Sequence, residues 1–163
     1  MIRIFLFFAV FAFVNLSCQK EEKAEKKDLH KYILVDKNSN PIPLPEDKLI
    51  VVNFLAYSCS SCMKELPVIK KVLREKKFKE RFQFIGIVID SDKGDFSDPD
   101  FPIYPGHKQN FVRFPVPGTP TTYIITPKGK KLIIIHGAVT EENFRKFLKQ
   151  AVEKAERLSA KEG

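Results

Sequence analysis

The chain has 163 residues, of which 44% are hydrophobic, and its 28 Lys and Arg residues against 20 Asp and Glu residues give a formal net charge of +8. This length fits one domain with little room for a second, and the hydrophobic content excludes a disordered chain. Three cysteines exclude a small disulfide-held scaffold, and because the basic residues do not alternate with aromatic ones we expect no nucleic-acid partner.

The N-terminus is predicted to be an export signal. Arg3 precedes an unbroken apolar run at residues 4–14, which is shorter than the ~20 residues that span a bilayer. We therefore interpret residues 1–17 as a signal peptide. Residues 15–18, Asn-Leu-Ser-Cys, resemble a bacterial lipobox, which implies that Cys18 is lipidated and becomes the first residue of the mature chain. The alternatives are an ordinary signal cut nearby and an uncut anchor in which Cys18 has no role.

The segment after Cys18 is predicted to be a tether. Residues 18–28 are charged and almost free of apolar side chains, so they cannot bury enough surface to fold alone. A lipid anchor followed by this spacer would hold a folded domain at the membrane, in the cell envelope on the extracytoplasmic, periplasmic side. We place that domain at residues 29–158, with a short tail at 159–163.

The hydrophobic pattern of the domain predicts alternating strands and helices. Residues 49–56 form a near-continuous apolar run rich in β-branched side chains, which is typical of a strand buried on both faces. A helical period follows from Ser60 to about Lys77, and because Pro67 lies inside it we expect a kink or a new start there. The other predicted strands are Lys31–Asp36, Phe82–Ile89, Thr121–Thr126 and Lys131–His136.

The second half of the domain completes the fold prediction. Residues 91–117 are polar and proline-rich, so we expect a loop with one short helix around Lys108–Arg113. The closing helix is predicted from Glu141 to about Leu158, with Thr140 as its N-cap. This order predicts one α/β domain, in which a mixed central sheet is flanked by helices and extended by an N-terminal β-strand.

The pair of cysteines in Cys59-Ser-Ser-Cys62 is predicted to be a redox dithiol. It comes directly after a buried strand and at the start of a helix, where unpaired N–H groups and the helix dipole stabilise a thiolate. Cys59 would then attack a partner disulfide, and Cys62, one turn deeper, would resolve the mixed disulfide. An isolated CxxC motif is a weak signal, but in this strand–helix setting it is a strong one.

These residues resemble the thioredoxin superfamily, and more closely the membrane-tethered TlpA/ResA-like thiol–disulfide oxidoreductases. Residues 51–67 are similar to the strand, active site and proline-containing helix of that family, and residues 118–125 to the loop with its cis proline. The resemblance covers roughly residues 29–158 and implies a thioredoxin-like fold. It also implies that Pro120 follows a cis bond, which leaves the Thr119 backbone to pair with an extended substrate.

The resemblance further implies the partners. They are disulfides of exported proteins, above all the haem-attachment sites of apocytochromes c, and a membrane thiol electron donor. The redox-active Cys59–Cys62 disulfide would be the only redox group, so no cofactor is expected.

Three positions near the dithiol either differ from the common residue of the superfamily or distinguish its subgroups. Asn53 stands where ordinary thioredoxins have a buried acid. Glu65 matches an acid that TlpA/ResA-like proteins place near the thiols, where it would hold or relay the proton of Cys62; the alternative is a solvated helix residue. Ser58 stands where the family commonly has Trp, and we expect Tyr57 to supply part of the missing substrate surface.

The same residues bear on three other functions. One alternative is a general extracytoplasmic disulfide reductase that serves other partners. A copper-handling protein of the SCO-like type would resemble a CxxxC arrangement, which the chain lacks, and its three His residues provide no four-ligand zinc pattern, so we expect no metal. A non-catalytic binding protein, whose disulfide only staples the start of a helix, is the third.

Overall fold

The structure is a computed structural model, and it describes residues 32–162. The predicted signal peptide at 1–17, the lipidation site at Cys18 and the tether at 18–28 lie outside the described residues, as do the first residues of the predicted domain. No helix within the described part is both long and apolar enough to cross a bilayer.

A five-stranded sheet forms the centre of the described chain. The elements are β1 Leu49–Leu55, α1 Ser60–Leu73, α2 Lys76–Lys79, β2 Phe82–Val88, β3 Ile103–Pro105, α3 Lys108–Arg113, β4 Thr121–Ile125, β5 Lys131–His136 and α4 Glu141–Glu162. The strand order is β3-β2-β1-β4-β5. Strands β1, β2 and β3 are parallel, whereas β4 runs antiparallel to both β1 and β5. The sheet is therefore mixed, as predicted.

The central strand β1 is buried on both faces, which explains its near-continuous apolar sequence. On one face, Val51 packs in a cluster with Ile69 of α1 and Phe144 of α4. On the other, Phe54 packs in a second cluster with Phe114, which directly follows α3. Because both faces are covered, the end of β1 is held rigidly where the dithiol begins.

Two helices differ in extent from the sequence prediction. Helix α1 passes through Pro67 and ends at Leu73, so of the two expectations at Pro67, a kink or a new start, the new start is wrong. The break comes at Glu75, whose extended backbone separates α1 from a one-turn α2 that buries Phe78.

Helix α4 is capped by the Thr140 hydroxyl, which accepts the Asn143 N–H at 3.3 Å. The helix continues through the predicted tail to Glu162, because no Gly or Pro interrupts it before the last residue.

Two edge elements were also predicted incorrectly. The predicted strand Lys31–Asp36 is absent from the described residues, where Val35 and Asp36 form only isolated bridges. The Asn110 amide explains part of this, because it accepts the Val35 N–H at 3.0 Å and donates to the Val35 carbonyl at 2.7 Å, which occupies the groups that a neighbouring strand would use. Strand β3 was missed because its three residues are too short for a period-2 pattern.

Candidate active site

Cys59 and Cys62 form a disulfide at the start of α1, with their Cα atoms 5.3 Å apart. Cys59 is the N-cap residue, with an extended backbone, and its Sγ accepts the Cys62 N–H at 3.2 Å. Cys59 is partly exposed, whereas only 2% of Cys62 is exposed. One sulfur is therefore within reach of a partner protein and the other is not, which supports the predicted order of attack and resolution.

The start of α1 favours a thiolate at Cys59. The first-turn N–H groups of a helix carry partial positive charge, and Cys59 Sγ already accepts one of them. Within residues 60–63, which form this turn, no side chain is acidic. The Ser61 hydroxyl lies 3.2 Å from the same sulfur and can donate to it. A negative charge at this position is therefore stabilised by backbone and hydroxyl donors.

The loop before β4 lies beside Cys59, the partly exposed cysteine of the pair. The Thr119–Pro120 bond is cis, as the resemblance implied. The Thr119 carbonyl oxygen lies 3.6 Å from Cys59 Sγ, and the buried Pro120 accepts the Gly137 N–H at 3.0 Å through its own carbonyl. Among residues 32–162, nothing accepts a hydrogen bond from the Thr119 N–H. The Thr119 backbone can therefore pair with an extended segment placed against Cys59.

Exposed apolar side chains lie next to the dithiol along the chain. Tyr57, just before it, and Met63, just after it, are each 37% exposed. Partial burial raises the pKa of Tyr57, and the nearby Asp95 and Asp90 carboxylates raise it further, so its hydroxyl stays neutral. Tyr57 is thus placed as an uncharged surface, consistent with its predicted role in contacting a substrate.

Glu65 is buried, with 2% of its surface exposed, so the alternative of a solvated helix residue is wrong. Its Oε1 accepts a hydrogen bond from Asn53 Nδ2 at 3.2 Å, and the same Nδ2 donates to the Thr122 hydroxyl at 2.8 Å. Oε2 makes no hydrogen bond of normal geometry within the described chain. Burial raises the pKa of Glu65 to about 7, partly offset by the Val139 backbone, Asn53 and Thr122. This carboxyl can therefore take up or release a proton near neutral pH.

One residue of the site, Asp90, was not predicted from the sequence. It follows β2, and its carboxylate accepts hydrogen bonds from the N–H groups of Tyr57 and Ser58, directly before Cys59. A signal for it was present, because a polar residue that follows a buried parallel strand lies at the same sheet edge as the end of the neighbouring strand.

One of the three His residues, His107, caps a helix. His107 is the N-cap of α3, where its Nδ1 accepts the Gln109 N–H at 3.2 Å and its Nε2 lies 3.5 Å from the Ser39 hydroxyl. Within the part of the chain that the structure describes, no group of three or more His, Cys, Asp or Glu side chains is placed to hold a metal ion.

The sequence of this domain is similar to those of known proteins. A family model described as a thioredoxin-like domain matches residues 42–152. The thiol-disulfide oxidoreductase ResA of Bacillus thuringiensis subsp. konkukian is 28% identical over 148 residues, which cover 80% of this chain and 81% of that protein. ResA of Bacillus subtilis is 26% identical over 139 residues, which cover 79% of this chain and 76% of that protein.

Solved structures share the same fold. A pneumococcal exposed lipoprotein thioredoxin from Streptococcus pneumoniae superimposes with a TM-score of 0.57 at 19% identity, over 72% of this chain and 96% of that one. StoA from Bacillus subtilis superimposes with a TM-score of 0.54 at 16% identity, over 71% of this chain and 93% of that one. At these identities the likeness shows the fold alone.

Proposed function

The chain belongs to the thioredoxin-like family, and from that premise we propose that it reduces disulfides of exported proteins while anchored to the outer side of a membrane. It is a thiol–disulfide oxidoreductase: the curated relatives carry this name, and the chain has the dithiol that the reaction needs. The observation that carries the proposal is a partly exposed Cys59, bonded to a buried Cys62, at a helix N-terminus beside the Thr119 backbone.

The proposed reaction starts from the reduced enzyme. The Cys59 thiolate attacks one sulfur of a substrate disulfide, whose S–S bond breaks, and the displaced substrate sulfur leaves as a thiolate and takes a proton. Cys62 then loses its proton and attacks Cys59 Sγ, which releases the second substrate sulfur. Two electrons pass from the enzyme to the substrate, and the enzyme disulfide remains. Each released substrate thiolate takes one proton: the first comes from solvent, to which Cys59 has already lost its own, and the second is the proton that Cys62 gives up.

Glu65 is proposed to receive the proton of Cys62 in the second step. The two residues are three apart on the buried face of α1, which puts their side chains on the same side of the helix. A carboxyl with a pKa of about 7 is half ionised near neutral pH, so it can accept a proton there and later return it. Asn53 fixes Oε1 through its hydrogen bond and leaves Oε2 for this exchange.

The substrate is proposed to bind across the Thr119–Pro120 loop. The Thr119 N–H, which has no acceptor among the described residues, and the Thr119 carbonyl suit an extended peptide backbone, and Tyr57 offers apolar contact on the adjoining turn. We propose that the substrates include the Cys-Xaa-Xaa-Cys-His segments of apocytochromes c, and that a membrane thiol protein returns electrons to the Cys59–Cys62 disulfide. No further cofactor is proposed.

The chain is also proposed to be held at the membrane by a lipid on Cys18. The apolar N-terminal run, the lipobox-like residues 15–18 and the charged segment at 18–28 support a lipid anchor on Cys18 with a tether behind it. One structurally similar protein is described as an exposed lipoprotein thioredoxin, which agrees with this arrangement.

A peptide assay tests the substrate class. The reduced protein is mixed with insulin, or with an oxidised peptide that contains the Cys-Xaa-Xaa-Cys-His sequence, and thiol release is followed. We expect both to be reduced, with a kcat/KM for the peptide at least about tenfold higher, a preference of ~1.4 kcal/mol in transition-state binding. Equal values for the two would favour the general reductase, and no reduction of either would favour the non-catalytic binding protein.

A further inference from the structure

A tight turn joins β1 to the dithiol. The Cys59 N–H donates to the Ala56 carbonyl at 3.1 Å, which closes the turn over residues 56–59. The N–H groups of the two central residues, Tyr57 and Ser58, therefore have no partner inside the turn. Both are taken by one carboxylate, since Asp90 Oδ1 accepts from Tyr57 at 2.8 Å and Asp90 Oδ2 accepts from Ser58 at 2.9 Å.

The strand register delivers Asp90 to this turn. Leu55, the last residue of β1, pairs with Val88, the last residue of β2, and the Ile89 N–H donates to the Leu55 carbonyl at 2.9 Å. The parallel pairing thus continues for one residue past β2, and the next residue is Asp90. Because both strands are buried in the core, this carboxylate is held by the sheet itself.

We propose that Asp90 is a positioning residue that holds the turn before Cys59, and through it keeps Cys59 Sγ at the N-terminus of α1 when the disulfide opens. The disulfide bond fixes Cys59 only in the oxidised protein. In the reduced protein, its position depends on the turn and on the Cys62 N–H that Sγ accepts at 3.2 Å. If the turn loosens, the sulfur loses this donor and the helix dipole, and the thiolate becomes less stable.

The negative charge of Asp90 raises the pKa of Cys59, whereas the hydrogen bonds by which Asp90 holds the turn lower it. A carboxylate near a thiol disfavours the thiolate, so removing only the charge would lower the pKa of Cys59. Hydrogen bonds from Ser58 and Tyr57 hold the pKa of Asp90 below its usual range, so the carboxylate stays ionised while the thiol titrates. The titratable groups near the turn besides Asp90 include Tyr57 within it, Cys62 and the buried Glu65 on α1, and Asp95, which acts on Tyr57. A substitution at Asp90 can therefore separate geometry from charge by the sign of its effect.

The test is the pH profile of alkylation of the reduced full-length protein by iodoacetamide, with modification at Cys59 followed by peptide mass spectrometry. We expect Asp90→Asn to raise the apparent pKa of Cys59 by about half a unit or more, which is a roughly threefold smaller thiolate fraction below the pKa. Asp92→Asn is the matched control. It removes the same charge from an exposed neighbour whose side chain makes no hydrogen bond to the turn, and the pKa should stay or fall slightly.

A pKa of Cys59 that is lowered or unchanged in Asp90→Asn would overturn the proposal. If circular dichroism shows that this variant does not fold, Asp90→Glu decides, because it keeps the charge and displaces the carboxylate. A raised pKa in that variant then supports the positioning role, and an unchanged pKa refutes it. The inference rests on the proposed redox role of Cys59, yet alkylation needs no protein partner, so its result stands apart from any failure to reduce a substrate.

Discussion

Replacing Cys59 with serine is expected to reduce the rate of disulfide reduction to the uncatalysed rate. The Cys59 sulfur is the one that a partner can reach, since it is partly exposed and lies 3.6 Å from the Thr119 carbonyl, whereas Cys62 is buried. A serine hydroxyl at this position does not ionise at neutral pH, and it cannot form a mixed disulfide. Insulin reduction in the presence of dithiothreitol measures the loss.

The Cys62→Ser variant is expected to fail at the next step. Cys59 can still attack, but no second thiol is present to release the substrate, so the mixed disulfide accumulates and is visible as a higher-mass species on a non-reducing gel. Ser60→Ala serves as the control, because it alters the same exposed turn without removing a sulfur, and it should keep most of the wild-type rate. Wild-type activity in Cys59→Ser would show that another group is the nucleophile.

Glu65 is expected to make the stability of the oxidised protein depend on pH. Burial raises its pKa from 4.5 to about 7 in the folded chain, so between these values the folded state holds a proton that the unfolded state has lost. The free energy of unfolding therefore falls as the pH rises through this window, by roughly 3 kcal/mol in total. Below pH 4.5 the stabilisation is fully present, and above about pH 7 it is lost.

Urea unfolding of wild type and Glu65→Gln across this pH range measures the effect. We expect the wild-type protein to lose roughly 3 kcal/mol relative to the variant between pH 4.5 and pH 8, because the amide does not ionise. Glu142→Gln, which removes an exposed carboxyl at the start of α4, is the control for the change in net charge. If the free energies of unfolding of wild type and Glu65→Gln changed in parallel with pH, the Glu65 carboxyl would have the same pKa in the folded and unfolded states, which would contradict the prediction.

The dithiol and the strands around it were predictable because their signals are local. A near-continuous apolar run rich in β-branched residues, followed closely by two cysteines three apart, predicts a buried strand and a helix start without knowledge of the rest of the chain. The cis bond before Pro120 was a different case, since nothing in the composition indicates it and only the resemblance of residues 118–125 implied it.

The features that were not predicted depend on contacts between residues that are far apart in the sequence. Asp90 reaches the turn before Cys59 only because β1 and β2 pair in one register, which a single sequence does not display. The burial of Glu65 likewise depends on Asn53 and Thr122, which come from two different strands. Asn110 binds Val35 across 75 positions of sequence, and this contact replaces the strand that a local pattern indicated.

Equilibration with graded ratios of reduced and oxidised dithiothreitol tests the redox role of Cys59 and Cys62 most directly. After acid quenching and alkylation, mass spectrometry measures the fraction of protein in which this pair is oxidised. A reversible pair gives one smooth two-electron transition, in which the whole population passes from disulfide to dithiol and returns when the ratio is reversed. A disulfide that remains closed at every ratio, or that never re-forms after reduction, would contradict a catalytic dithiol and indicate a structural staple.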